Sequence, residues 1–520
     1  MLSYIILSCN EFLMNLSLLG YFFFVSDGFL ELVFVLMLVL PLIGILILFF
    51  IKEYNLLLIK QLTLLITVLV FFLSVLLVIL IDFENNYNFQ LIFDLKWFEI
   101  LNLKYSLGLD GLSILFILLT TFLIPLCILA SWYSINYRIK LYLIAFLFTE
   151  FFLLNIFCAL DLFLFYIFFE SILIPMFLII GVWGSRFRRI HASYQFFLYT
   201  LFGSLIMLSA LIFIYFHVGS TDLKVIYNSS FSNYRQLFLW FAFFLSFAVK
   251  IPMMPVHIWL PEAHVEAPTA GSVLLAGVLL KLGTYGFLRF SIPLFIYGTE
   301  FFLPLLYTFS LLAVVYSSLT TIRQIDLKKI IAYSSVVHMN FALLGLFTLN
   351  IQSLSGSIFL MLSHGIVSGG LFLCVGVIYD RYHTRILYYY NGLNYFMPIF
   401  SMFFLIFTFA NIGMPGTSSF IGEFLIIIGI FQYNTVVAFL ASLSLIFGAA
   451  YAVWLYNRIF FGSIQTNYIT NFMDLSKREF VILFPLILII LIGGIYPDVF
   501  FKLYNLSIYN YFQNYISFVY

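Results

Sequence analysis

The sequence predicts an all-α polytopic membrane protein, a helix bundle with about fourteen transmembrane helices. Of its 520 residues, 64% are hydrophobic and only 9% are charged, whereas soluble domains carry roughly a quarter charged residues. Apolar stretches of about 20 residues, the length that crosses a hydrocarbon core of roughly 30 Å, recur along nearly the whole chain. Lysine and arginine concentrate in alternate loops between these stretches. These three observations predict one continuous bundle.

The order of the apolar stretches gives the individual elements. We predict fourteen spans, near residues 29–51, 61–82, 109–132, 139–159, 160–183, 193–217, 237–254, 268–291, 301–322, 329–349, 352–379, 395–431, 435–461 and 480–501. The first 28 residues are also apolar, but they lack the basic n-region and the small-residue cleavage site of a signal peptide. We interpret them as an extra, partly inserted helix.

The loop charges support this order of spans. Lysine and arginine lie mostly in the loops after odd-numbered spans, and the opposite face, which we call the basic-poor face, has far fewer. Basic loops stay on the side from which a membrane protein is inserted. Both termini are therefore predicted on the basic-poor face. One missed or invented span would remove the asymmetry.

Two of the predicted spans are interrupted. The seventh contains Pro252 and Pro255 beside Lys250, and the twelfth contains the run Gly413–Gly416, with Glu423 after it. Interrupted helices at corresponding positions of two halves indicate a transport site built from inverted repeats. Five spans separate the two interruptions, and an odd number of helices per repeat inverts the second copy.

These repeats predict four segments of the chain. The ends are N-terminal helices with a loop and a C-terminal helix with a tail, and between them lie two inverted five-helix repeats. The segments in order are residues 1–138, 139–291, 301–461 and 462–520.

Composition and motifs argue against several other classes of protein. A net charge of +1 does not provide the basic surface that nucleic acids or acidic substrates need. The four cysteines lie far apart, without the spacing of a metal site, an iron–sulfur cluster or a disulfide framework. No GxGxxG or P-loop pattern for a nucleotide occurs. We predict no redox site in this chain.

A carboxylate and a lysine inside predicted spans are the first functional candidates. Glu170 lies near the centre of the fifth span, and Lys250 lies in the seventh. Isolated charge is costly in hydrocarbon, so Glu170 needs either a proton or a nearby cation, and Lys250 is the candidate partner. Such a pair responds to protonation. The alternative is a permanent ion pair that only fixes the packing of the helices.

Further ionisable residues extend this interpretation. Lys281 lies in the eighth span and Glu423 in the twelfth, and His338 and His364 come between them in the sequence. A desolvated lysine can alternate between its charged and neutral forms, and histidine exchanges protons near neutral pH. A single buried histidine is usually a satisfied core residue, but two between buried ionisable groups favour a proton relay.

Two more acidic residues lie close to these spans. Glu150, in the fourth span, is a candidate to extend the chain of carboxylates. Asp161, at the junction of the fourth and fifth spans, is interpreted as a helix cap.

Several motifs resemble one known family. The run KIPMMPVHIWLPEAHVEAPTAGS, residues 250–272, is similar to the signature of the antiporter-like membrane subunits of respiratory complex I. Tyr105–Ser113 and Phe169–Met176 resemble the same family, so the resemblance covers roughly residues 105–460. Glu423 stands where sister subunits usually carry lysine, which indicates one particular branch of the family, and the short C-terminal tail agrees with that branch.

The resemblance implies a role for each candidate residue. Glu170 and Lys250 would be the coupled carboxylate and lysine of the proton-uptake half, and Lys281 would be the central relay. Glu423 would serve the exit half, and His338 and His364 match positions on the polar axis between the halves. The implied activity is proton translocation in the membrane arm of complex I, coupled to NADH:ubiquinone electron transfer.

The resemblance also implies the surroundings of the chain. NADH, FMN, iron–sulfur clusters and ubiquinone are expected elsewhere in the complex and not on this chain. The expected partners are the other membrane subunits, especially neighbouring antiporter-like chains, together with lipids. The 68 phenylalanines and 35 tyrosines, which AT-rich coding favours, and the lack of a transit peptide predict an organelle-encoded, multi-pass protein of the mitochondrial inner membrane.

Some features depart from the family pattern. Glu262 stands where related mitochondrial chains often have lysine and bacterial chains have aspartate, so no role is assigned to its charge. Residues 1–28 and the loop near 83–104 have no clear counterpart.

Two other functions stay open: a subunit of a stand-alone cation/proton antiporter complex, and a purely structural membrane subunit.

Overall fold

The computed structural model describes residues 27–81, 89–98, 102–463 and 473–519, with side chains described up to residue 509. The predicted extra helix at the N-terminus falls almost wholly outside these residues. The described part of the chain is a bundle of helices with one small β-hairpin.

The helices, labelled in chain order, begin with two at the N-terminal side and continue after the hairpin. They are α1 Asp27–Phe50, α2 Leu56–Leu80, α3 Gly111–Ala130, α4 Ile139–Cys158, α5 Leu162–Ser171, α6 Leu173–Trp183, α7 Arg189–Val218, α8 Leu223–Tyr227, α9 Asn233–Lys250, α10 Trp259–Glu266, α11 Thr269–Leu294, α12 Ile296–Arg323, α13 Leu327–Leu346, α14 Ile351–Tyr382, α15 Pro398–Ile412, α16 Ser418–Tyr433, α17 Thr435–Phe460, α18 Lys477–Ile495 and α19 Asp498–Val519. Short 3₁₀ turns at Leu387–Tyr389 and Leu393–Tyr395 connect α14 to α15.

Within the described residues, twelve helices are long and apolar enough to cross a membrane, with α5 and α6 taken together as one. The prediction of a helical, multi-span membrane protein is confirmed. The last span differs in detail from the predicted 480–501, because α18 ends at Ile495 and a separate helix, α19, follows.

The chain is interrupted at both predicted places. Helix α9 ends at Lys250, and α10 begins only at Trp259, because prolines in the intervening segment lack the backbone N–H that a helix requires. Helix α15 ends at Ile412, and α16 begins at Ser418. In that gap Gly413 and Gly416 have φ angles of 78° and 92°, which glycine adopts without steric cost.

Helix α11 has an irregularity that the sequence did not predict. It contains two π-helical stretches, Leu275–Leu279 and Phe287–Ser291, on either side of the turns that carry Lys281. Such π segments are rare and often occur at functional sites.

A two-stranded antiparallel hairpin replaces part of the predicted loop near 83–104. Strand β1, Gln90–Phe98, pairs with β2, Leu103–Leu109. Asp110 then caps α3, since its carboxylate accepts a hydrogen bond from the Ser113 amide at 2.9 Å and Ser113 Oγ accepts one from the Asp110 amide. The hairpin therefore ends at a defined helix start.

The most enclosed helices are α11, α13 and α14, which carry Lys281, His338 and His364. In α11 and α14 every residue of the apolar 18-residue stretch that would cross the membrane is buried, and in α13 89% of them are. In α1, α2 and α7 fewer than half of the residues in that stretch are buried. The half-exposed helices surround the others and turn apolar side chains outward, as expected for contact with lipid or other membrane chains.

Candidate functional site

Lys281 lies at the centre of the candidate site. It is on α11, between the two π stretches, and its side chain is fully buried. Its ammonium nitrogen Nζ donates a hydrogen bond to the Ala276 carbonyl oxygen at 2.5 Å. The same nitrogen is 2.9 Å from Nδ1 of His364, on α14. The π stretch that contains Ala276 thus supplies one of two polar partners to a lysine in an otherwise apolar core.

Two histidines and a glutamate continue from this lysine. The rings of His364 and His338 lie with their centroids 5.7 Å apart. Nδ1 of His338, on α13, is 3.2 Å from Oε1 of Glu423, on α16. Lys281, His364, His338 and Glu423 therefore form a continuous set of neighbours from four helices, which we call the polar row. The structure brings together four of the seven predicted site residues.

Glycine at the interruption makes room for the last member of the polar row. A Cβ atom on Gly413 would lie 2.2 Å from Oε2 of Glu423, which is too close for any contact. The positive φ of Gly413 also disfavours a side chain there. The break between α15 and α16 therefore positions the Glu423 carboxylate as well as ending a helix.

A small cavity adjoins Glu423. Its polar lining residues are His338, Asn411, Glu423, Ser444 and Tyr451. The Tyr451 hydroxyl is buried and makes no hydrogen bond to another described residue. Tyr451 was not predicted, because one tyrosine among 35 has no distinguishing signal in the sequence.

Lys250 and Glu170, the predicted carboxylate–lysine pair, are neighbours around Phe169. The Lys250 nitrogen Nζ donates a hydrogen bond to the Phe169 carbonyl oxygen at 3.0 Å and lies 3.3 Å from the centroid of the Phe169 ring. Glu170 is the next residue of α5, and its Oε1 has no hydrogen-bond partner among the described residues. No salt bridge between Lys250 and Glu170 occurs in this part of the chain. Phe169 was not predicted to take part.

Glu150 stands apart from the other candidates. It lies in the middle of α4 and is fully buried, and neither carboxylate oxygen has a hydrogen-bond partner among the described residues. The structure does not join it to the polar row.

The two acidic residues of uncertain role have local partners. Asp161 caps α5, since its Oδ1 accepts hydrogen bonds from the amides of Phe163 and Leu164 at 2.8 and 3.1 Å. Glu262 forms an ion pair with Lys329 at 2.9 Å, and both side chains are about a quarter exposed.

Buried cations near the α10–α11 connection were also missed. Lys328 and Arg385 lie between predicted spans and so belong to the predicted loops, yet their side chains are almost fully buried. Lys328 Nζ donates to the Ala267 carbonyl oxygen at 2.7 Å, and an Arg385 Nη2 atom is 3.7 Å from Oε1 of Glu266. Counting charges along a sequence cannot separate such buried cations from solvated ones.

His264 is a further histidine that the sequence analysis left without a role. It is fully buried on α10, with its ring stacked on Phe372 at a centroid distance of 4.8 Å. Its position within the 250–272 motif is the sequence feature that could have indicated a role.

In the described part of the chain, no group of three or more His, Cys, Asp or Glu residues is arranged to hold a metal ion.

Comparisons with known proteins agree on one family. The sequence model of the family described as NADH:quinone oxidoreductase/Mrp antiporter, transmembrane, matches residues 159–448. NADH-ubiquinone oxidoreductase chain 4 of Marchantia polymorpha is 57% identical over 479 residues, covering 92% of this chain and 96% of that protein. NADH-quinone oxidoreductase subunit M of Rhodobacter capsulatus is 49% identical, covering 86% and 89%.

Solved structures show the same fold. A chain of respiratory complex I from Thermus thermophilus with bound NADH has a TM-score of 0.84 and 30% identity, covering 93% of this chain and 99% of that chain. A chain of the Mrp complex from Dietzia has a TM-score of 0.79 at 17% identity, and the match covers 51% of that chain. The second match concerns the fold alone.

Proposed function

Since the chain belongs to the family of NADH:quinone oxidoreductase and Mrp antiporter membrane subunits, we propose that it conducts protons through the polar row within respiratory complex I. The chain is a membrane subunit of an NADH-ubiquinone oxidoreductase. NADH, flavin, iron–sulfur clusters and ubiquinone are expected on other subunits of the complex, whose electron transfer would drive the protonation changes in this chain.

The observation that carries the proposal is the continuity of the polar row. The Lys281 ammonium is in hydrogen-bond contact with His364 Nδ1, so it can pass a proton to that ring and become neutral. His364 faces the His338 ring, and His338 Nδ1 is within reach of the Glu423 carboxylate. The first and last of these steps move one proton across a direct contact, whereas the step between the two rings needs a bridging water or a turn of one ring, because neither Nε2 has a hydrogen-bond partner among the described residues.

We place Glu170 and Lys250 at the uptake half of the chain. A proton that neutralises Glu170 changes the electric field at Lys250, because the Lys250 ammonium contacts Phe169 and Glu170 is the next residue in the chain. Glu150 is proposed as a further carboxylate on the uptake side. Its burial supports a proton-binding role, because an isolated carboxylate in an apolar core is unfavourable in its charged form.

The proposed architecture of the pathway is a pair of inverted five-span units. They cover residues 139–291 and 301–461, with an N-terminal segment at 1–138 and a C-terminal segment at 462–520. The breaks after Lys250 and Ile412 support this division, because one interrupted helix falls in each unit and each lies near an ionisable side chain.

Substitution of Glu423 tests the polar row. Glu423→Gln keeps the size of the side chain but removes its capacity to accept a proton from His338, so we expect coupled NADH:ubiquinone activity to fall by about 10²-fold or more. The complex would be reconstituted into vesicles, and protons moved per NADH oxidised would be measured. Glu262→Gln is the control, since Glu262 is outside the row. Unchanged coupled activity together with an unchanged proton-to-electron ratio in Glu423→Gln would refute the proposal.

The proposed surroundings are the mitochondrial inner membrane and neighbouring antiporter-like subunits of the same complex. They can be tested by separating mildly solubilised membranes on a native gel, staining for NADH oxidation and identifying this chain by mass spectrometry. Migration in the large NADH-oxidising band is expected. A location only in a smaller band without NADH activity would contradict membership in complex I.

The second candidate function is a cation/proton antiporter, which the shared family description and the Dietzia fold favour. Proton flux that depends on sodium and needs no NADH would support it. The 57% identity to a complex I chain over 92% of this sequence favours the first function.

A further inference from the structure

The ammonium of Lys250 rests on an aromatic ring beside a carboxylate. Its nitrogen lies 3.3 Å from the centroid of the Phe169 ring and donates to the carbonyl oxygen of the same residue at 3.0 Å. The neighbouring Glu170 carboxylate has an oxygen without a hydrogen-bond partner among the described residues. A single residue, Phe169, thus provides both contacts that hold the cation.

We propose that Phe169 is a positioning residue that holds the Lys250 ammonium out of ion-pair contact with Glu170. This inference rests on the proposed function of the Glu170 and Lys250 side chains. The ammonium then has two positions, one on Phe169 and one on the Glu170 carboxylate. The position on Phe169 receives the ammonium when the Glu170 carboxyl group carries a proton.

The local backbone explains why the carbonyl of Phe169 is available. Helix α5 ends at Ser171 and α6 begins at Leu173, so Phe169 lies in the last turn of α5. Carbonyl groups in the last turn of a helix lack the full set of intrahelical partners, and the negative end of the helix dipole attracts a cation. The break between α5 and α6 therefore creates an acceptor for the ammonium.

Packing fixes the ring in place. Phe169 is fully buried, with the Phe165 ring at a centroid distance of 5.3 Å and the Phe247 ring edge-on at 6.0 Å. Phe247 is on α9, the helix that carries Lys250. The contact between the two helices thus sets the position of the ring relative to the ammonium.

The two positions of the ammonium respond to the proton on Glu170. A charged carboxylate attracts the ammonium by direct Coulomb interaction, which is strong in an apolar interior. A protonated carboxyl group offers no such attraction, and the ring face and carbonyl then hold the cation. Arrival of a proton at Glu170 would therefore release Lys250 toward Phe169, and loss of that proton would draw it back.

The test is Phe169→Leu in the assembled complex. Leucine retains an apolar side chain but lacks the ring face, and a cation–π contact in a water-poor site corresponds to roughly 30-fold in an equilibrium. We expect the ammonium to move onto Glu170. The coupled turnover should then fall roughly tenfold, less than the full 30-fold because the Phe169 carbonyl remains as a partner of the ammonium. Phe169→Tyr, which keeps the ring face, should restore most of the turnover.

Phe168→Leu is the matched control, because Phe168 precedes Phe169 on α5 and its ring packs on Tyr105, Phe151 and Phe152 instead of on the Phe169 ring. We expect it to retain coupled turnover. Equal losses in Phe168→Leu and Phe169→Leu, or no rescue by Phe169→Tyr, would reduce Phe169 to a packing residue and overturn the proposal.

A structure of the unsubstituted complex at a resolution that locates Nζ provides a second measurement. The ammonium should lie over the Phe169 ring in at least one state, and contact with Glu170 in every state would overturn the inference even if no variant assembles.

Glu170→Gln separates the two proposals. If it leaves pumping intact, the proposed function fails, whereas a failure confined to the Phe169 variants removes only the positioning role.

Discussion

Lys281 is the residue at which burial and charge conflict most strongly. Among the residues that the structure describes, its ammonium has only the Ala276 carbonyl and the His364 ring within hydrogen-bond distance, and its side chain has no exposed surface. Burying a charged group is unfavourable unless partners compensate, and two neutral partners compensate only partly. Such a lysine lowers the stability of the fold, a cost that fits the proton-transfer role proposed for it.

Replacement of this lysine therefore separates function from stability. Lys281→Met is close in length and removes the charge, so we expect pumping to be lost. Replacing buried charge by packed apolar groups is often neutral or stabilising by about 1–4 kcal/mol. The temperature at which this chain leaves the purified complex on heating should be unchanged or higher. A lower temperature combined with intact pumping would contradict this account.

At the scale of elements, the helix interruptions orient the ionisable groups. The break after α15 lets Glu423 approach His338, and the break between α5 and α6 provides a carbonyl to Lys250. Continuous helices would use those backbone groups internally and would bring side chains into the space that Gly413 leaves open. Irregular backbone in a membrane protein is tolerated where it is enclosed by protein, as at the fully buried Ile172 between α5 and α6.

Two glycines in the same break give a matched pair of substitutions. Gly413→Ala and Gly416→Ala both place a side chain at positive φ, which costs about 1–2 kcal/mol. Only the Cβ of Gly413 would meet Glu423, whereas nothing lies within 4 Å of a Cβ on Gly416. We expect similar losses of thermal stability but a loss of pumping only in Gly413→Ala. Equal pumping in the two variants would mean that the glycine does not position Glu423.

At the scale of the whole molecule, one ion pair joins the hairpin side to the central helix. Arg289, near the end of α11, donates two hydrogen bonds of 2.7 Å to the carboxylate of Asp110, which follows β2. Both side chains are at least 95% buried. Tyr285 extends the link, because its hydroxyl accepts from Arg289 Nε and donates to the Phe157 carbonyl on α4.

Breaking this link should destabilise the chain as a whole. Asp110→Asn leaves the buried guanidinium without its countercharge, and removing one partner of a buried pair costs about 3–5 kcal/mol. Glu262→Gln disrupts the exposed pair with Lys329 and should cost only about 0–1 kcal/mol. Thermal dissociation of each variant from the complex measures the difference. Comparable midpoints for the two variants would contradict the role assigned to Asp110.

Much of the architecture was predictable because lipid imposes a simple pattern. Spans must be apolar and about 20 residues long, so hydropathy predicts a multi-span helical protein. Proline and glycine marked the two long breaks. The resemblance of residues 250–272 to complex I subunits is confirmed by the relatives, and the chain 4 relatives agree with the branch that Glu423 indicated.

The missed features depend on contacts between distant parts of the chain. Phe169 meets Lys250 across 81 positions of sequence, and Asp110 meets Arg289 across 179. The hairpin requires pairing between two strands within a region that hydropathy treats as a loop. The π stretches of α11 follow from its packing, and no propensity rule separates them from ordinary helix. Sequence patterns therefore predicted several of the buried ionisable residues, but not Lys328 or Arg385, and not how the buried cations are held.

The depth of the polar row has an electrical consequence. Lys281 and His364 lie near the middle of α11 and α14, His338 lies near the middle of α13, and Glu423 follows the break between α15 and α16. All four are thus near the same level between the two membrane surfaces. Moving a charge fully across a membrane requires about 2.3 kcal/mol per 100 mV. Transfer along the row as proposed would therefore cross little of that field, and the voltage would act mainly on the steps that bring a proton in and let it out.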